Sequence, residues 1–250
     1  MEITDYNKLT PEQKQEQAEY IAKRVMEGTF DPNAKENKML FKFVCERSTA
    51  SLVFLRCLNR HRAELISVSE QTFMGISTVM QGIIMFIQGS WMMHKPLYNA
   101  LKAKIDNKTS LSSKEREQWT CLEGKNKQFI EIMELILILS QTFSTNENSK
   151  KKLIYEMTLD NRLFADAVLW KRVMKRFISE TLARQIELLK KQKIKISKEL
   201  QATKLLSIAQ TTIITYQFNM STFNVPKDVQ DESINYILEE FKLNRESLGI

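Results

Sequence analysis

Six glycines and four prolines are the only strong turn formers in these 250 residues. Glycine supplies positive φ and proline a preset φ, and a β-sandwich or barrel needs such punctuation roughly every 8–12 residues. A chain so rarely interrupted builds few, long elements. The apolar spacing agrees with helices: Ile21, Val25 and Met26, then Met39, Leu40, Phe43 and Val44, then Leu52, Leu55 and Leu58, then Ile130, Met133 and Leu137 each recur at helical intervals. The expected fold class is all-α: a compact helical protein of two helical lobes with an N-terminal helical arm.

Local signals divide the chain. Thr10-Pro11-Glu12-Gln13 reads as a capped helix start with proline in the first turn, and Gly28 as its stop. Residues 1–35 are therefore expected to form an arm and loop, 36–145 an N-terminal helical lobe and 146–250 a basic C-terminal lobe. Pro96 is expected to end or kink the helix before it. Residues 106–113 and 144–149 are polar linkers. Ser112 and Glu115 have capping-box spacing, opening a helix to about Phe143. From Lys150 to about Gln217 the pattern predicts three helical pieces. Within it, Thr211–Thr215 is β-branched and suits either a short strand or a buried helix. Asn224-Val225-Pro226 is a break, after which Asp228 or Asp231 caps a last helix carrying Ile234, Ile237, Leu238 and Phe241.

One stretch, Gln71–Met93, has no charged residue and is long enough to span a membrane. Gln81, Gln88, Ser77, Thr78 and Ser90 dilute it, so it reads as a buried core helix, with a membrane segment as the alternative. Gly75, Gly82 and Gly89 fall seven apart on one face, where a neighbouring helix can come close. Three unclustered cysteines make no disulfide framework and point to a reducing compartment. The polar start Met1–Asp5 is no secretory signal. A cytoplasmic protein is expected, with a virion as the alternative location.

Charge is unevenly placed. Residues 150–204 hold 15 basic and 6 acidic groups, a net of +9 against +7 for the whole chain, while 227–250 carry a net of −3. Lys171, Arg172, Lys175 and Arg176 fall on one side of a helix whose other side is Trp170, Val173, Met174, Phe177 and Ile178. Lys190, Lys191 and Lys195 follow. A concentrated basic face suits a polyanion. Single-stranded RNA fits, because phosphate contacts need no base reading. An anionic membrane or acidic protein fits too, and a merely solvated face is the bland alternative. The expected phosphate contacts are Lys171, Arg172, Lys175, Arg176, Lys190, Lys191 and Lys195, with Arg60 and Arg62 as additions.

Residues for chemistry are scarce. Cys57 and His61 are four apart on one helix, yet a structural zinc site needs four ligands, and a nucleophilic dyad needs an orienting third group. The phosphate-binding, dinucleotide, metalloprotease and nucleophile-elbow motifs do not occur. The expectation is no enzyme, no cofactor, no metal and no small-molecule substrate. Trp91 and Tyr98 flank His94 and Lys95, a mix that stacks on bases in other settings but reads first as packing.

Three elements, Phe41-Lys42-Phe43-Val44-Cys45, Leu58-Asn59-Arg60-His61-Arg62 and Thr72-Phe73-Met74-Gly75-Ile76, resemble a pattern in nucleoproteins of segmented negative-strand viruses of the tospovirus and wider bunyavirus type. There a phenylalanine-cysteine element precedes a leucine-plus-arginine helix, and a phenylalanine-glycine element follows. Asn161-Arg162-Leu163 is similar to a short element of emaravirus nucleoproteins. The resemblance spans residues 41–76. It implies a two-lobed body with RNA in a basic groove between lobes and a terminal arm docked on the next protomer. Sequence-independent RNA coating by a homo-oligomer is the function it implies. A matrix- or scaffold-like protein on an anionic membrane, or on a protein partner, is the alternative.

Overall fold

Helix dominates, as the shortage of turn formers predicts. In a computed structural model that describes residues 8–144, 167–222 and 225–249, every regular element among the described residues is helical. The chain divides into two compact units, Met1–Thr158 and Leu159–Ile250. The boundary expected at 145/146 and the Asn161-Arg162-Leu163 element lie outside the described residues.

In the first unit, α1 (Pro11–Met26) begins with the predicted capping box. Thr10 accepts from the Gln13 amide, and the Gln13 side chain accepts from the Thr10 amide. Gly28 ends it at φ +69, a conformation open to glycine and costly for other residues. Ala18, Ile21, Ala22 and Val25 repeat every three to four residues, and that face is buried against α3 and α4. The arm expected over residues 1–35 thus carries a helix, α1, that packs within its own unit. The stripe that made the helix amphipathic is one wall of its own unit's core.

Helices α2 (Lys38–Glu46) and α3 (Ser48–Arg60) are separated only by Arg47, whose extended backbone turns the chain. They bury Phe43, Val44 and Cys45, and Leu52, Phe54, Leu55 and Leu58. Ser69 caps α4 (Glu70–Asp106), accepting from the Thr72 amide. The helix runs through Pro96 rather than ending there. Proline removes one amide donor, and at this exposed position water can take the carbonyl left over a turn earlier. By length and composition α4 could cross a membrane, but 61% of its most apolar window is buried inside the protein. Helix α5 (Ser113–Ser144) opens with the predicted box, in which Ser112 accepts from the Glu115 amide and Glu115 accepts from the Ser112 amide. It runs antiparallel to α4, joined by Lys104–Glu115, Tyr98 stacked on Trp119, and Trp91 stacked on Phe129.

In the second unit, α6 (Ala167–Lys191) packs on α7 (Lys198–Thr222) and α8 (Lys227–Glu240). Trp170 meets Tyr216 edge-on at 5.2 Å. Thr211–Thr215 is helical: Thr212 and Thr215 donate back to the carbonyls of Ile208 and Thr211, while Ile213 is buried. Neither Asp228 nor Asp231 caps α8. The helix starts directly after Pro226, whose fixed φ already presets the turn, and no side chain caps it. A fourth, short helix, α9 (Arg245–Leu248), goes unannounced by the sequence pattern because a single turn has no periodicity. Asn244 caps it, and Gln210 of α7 donates to the Leu248 carbonyl.

Candidate nucleic-acid interface

The basic stripe of α6 has a partner within its own unit. Lys171 Nζ lies 2.5 Å from Glu232 Oε1 and 5.6 Å from the centre of the Tyr236 ring. Lys175 Nζ lies 2.6 Å from Glu240 Oε1. That hydrogen bond holds the Lys175 pKa above the ordinary lysine value and the Glu240 pKa below the usual carboxylate range. Both acids are on α8. Along α6 itself, Arg176 reaches Glu180 at 2.7 Å. Arg172 is exposed and also has an interaction partner. Lys171 and Lys175, expected as phosphate contacts, thus form a seam of ion pairs between α6 and α8. Arg176 is committed to a neighbour on its own helix. The opposite charges of 150–204 and 227–250 were the signal: two segments of opposite sign in one lobe neutralise each other first.

The end of α6 is different. Lys191 pairs with Glu187 at 3.0 Å, both exposed. Lys190, Lys193, Lys195 and Lys198 are exposed and make no ion pair with a described residue. They cluster because α6 closes on a left-handed residue, Lys193 at φ 59, whose amide bonds back to the Lys190 carbonyl. Glycine is usual there, and another residue costs about 1–2 kcal/mol. Ser197 then caps α7 by accepting from the Leu200 amide. The result is a hairpin turn that projects lysines from both helix ends. The turn also exposes Leu188 and Ile194, at 56% and 44%.

The first unit's candidates separate. Arg60 is exposed, 3.5 Å from Glu19 of α1. Arg62 is only 5% exposed and points toward Asn59 Oδ1 at 3.5 Å. It is corrected from phosphate contact to a buried residue, because a side chain so little exposed does not reach a phosphate in solvent. Burial pushes the Cys57 thiol up, away from the thiolate that a nucleophile requires, and His61 Nδ1 faces Glu64 at 3.1 Å.

Compared with protein-family models, curated proteins and solved structures, the chain has no match.

Proposed function

We propose that this chain coats single-stranded RNA without sequence preference and assembles with copies of itself, gripping phosphate with the lysines of the α6–α7 turn. The observation that carries the reading is the set Lys190, Lys193, Lys195 and Lys198, exposed and without an ion-pair partner among the described residues. The resemblance of residues 41–76 to nucleoproteins points the same way. Lysine recognises phosphate as a point charge, so affinity is independent of base and falls with salt.

The test is a salt titration of RNA binding. Log affinity falls linearly with log salt, by about 0.7 per phosphate neutralised on a single strand. Lys190→Glu with Lys195→Glu flattens that slope by roughly 1–2 units and leaves the melting curve in place. An unchanged slope removes the reading.

A second reading is favoured by exposed Leu188 and Ile194. Aliphatic side chains among lysines suit an anionic bilayer surface, where the chains insert and the ammonium groups meet headgroups. Flotation with phosphatidylserine vesicles, together with absent RNA binding, would select it.

A further inference from the structure

Where α3, α4 and α5 meet in the first unit there is a pocket of about 120 Å³. Its polar lining among the described residues is Ser48, Ser90, His94, Lys125 and Gln128. None is a carboxylate. Lys125 Nζ lies 2.9 Å from His94 Nε2, and no ion pair to a described residue competes for it. Lys125 donates to an imidazole rather than to a carboxylate, so no acidic side chain in the described lining offsets its charge. Ser48 opens α3, so the positive end of that helix also meets the pocket.

The floor decides what fits. Trp91 and Phe129 are each 6% exposed and stack on one another at 5.5 Å, so neither ring is open to a base. Pockets that enclose drug-sized ligands run to roughly 300–1,000 Å³, and this one is well below that range. Lys125 donates to His94 Nε2, which leaves its other ammonium protons, the imidazole Nδ1–H, the Gln128 amide and the serine hydroxyls as donors around a small cavity with no carboxylate in its described lining, a match for the acceptor oxygens of one phosphate group.

We propose that this pocket is a binding site for a single phosphate group, held by Lys125, His94 and Gln128. The site shares no residue with the α6–α7 turn. The phosphate comes either from free inorganic phosphate or from a nucleic-acid backbone, and the experiment separates the two.

The full chain carrying Lys190→Glu and Lys195→Glu is treated with an amine-acylating reagent, and modification of Lys125 is read by peptide mass spectrometry. Potassium chloride, inorganic phosphate and a short single-stranded RNA are compared at equal ionic strength. Protection by phosphate assigns the site to free phosphate, and protection by RNA alone assigns it to the backbone. Equal modification in all three overturns the proposal. Calorimetry of the wild-type chain with the protecting species completes the test. Lys125→Gln lowers its affinity about tenfold, the loss of one charge-assisted hydrogen bond, and an unchanged affinity also overturns the proposal.

Discussion

Gly82 and Gly89 sit on the same helix, seven residues apart, in opposite circumstances. A Cβ on Gly82 would lie 2.5 Å from Cys45 Sγ and 2.8 Å from Phe41 Cζ, so α2 crosses α4 where only glycine leaves room. A Cβ on Gly89 would meet nothing within 4 Å. Gly82→Ala is expected to destabilise the protein by about 1–3 kcal/mol through overpacking. Gly89→Ala is expected to stabilise it by about 0.5–1 kcal/mol, because alanine loses less conformational freedom in a helix. Urea melts of the two variants check both signs, and equal effects would show that the α2–α4 crossing is not tight. The sevenfold glycine spacing was visible in sequence, but which glycine faces a helix and which faces solvent was not. The same crossing buries Cys45, whose thiol is pushed up to about 12 and donates weakly to the Val79 carbonyl.

Helix ends were the most legible elements. The Thr10–Gln13 and Ser112–Glu115 boxes form as their spacing implies, because a cap is settled by residues within three positions of each other. Tertiary contact adds to the second: Lys104 of α4 donates to Glu115 at 2.6 Å. That bond, with those from Ser112, brings the Glu115 pKa down from 4.5 to about 2. A carboxylate depressed on folding stabilises above its unfolded pKa and loses that contribution as pH falls through the folded one. The first turn of α5 should therefore loosen as pH falls from 4.5 to about 2, and Glu115→Gln should abolish the dependence. Amide exchange along Ser113–Glu117 reads this, and a Glu115 carboxyl titrating near 4.5 by NMR would contradict it. Helix α1 has the opposite lesson. Its amphipathic stripe suggested an arm, yet Ile21, Val25 and the following Phe30 are core. A chain starting at Lys35 should lose roughly 5 kcal/mol or more, much of a typical domain's stability. A thermal melt unchanged by the truncation would restore the arm.

At the scale of the whole molecule, charge is arranged to be matched before it is offered. Lys171 and Lys175 meet α8 acids 61 and 65 residues away in sequence. Lys171→Glu with Lys175→Glu places like charges across the α6–α8 seam, so the thermal midpoint should fall while the salt slope of RNA binding stays as in wild type. Substitution of Lys190 and Lys195 should do the reverse. A pair of variants that both flatten the slope would return the α6 stripe to the interface.

The sequence by itself determined that the chain is helical, where α1 and α5 start, where α1 stops, and the apolar face of several helices. These depend on neighbours within four residues, and the pattern is written at that range. Only the tertiary structure decided that α1 belongs to the core, that Arg62 is covered, and that the basic stripe of α6 is mostly spoken for. It also brought Lys125 to His94 across 31 residues, around a pocket that no motif marks. Whether a charge is free depends on what distant segment folds against it, and charge counts along a chain carry no record of that distance.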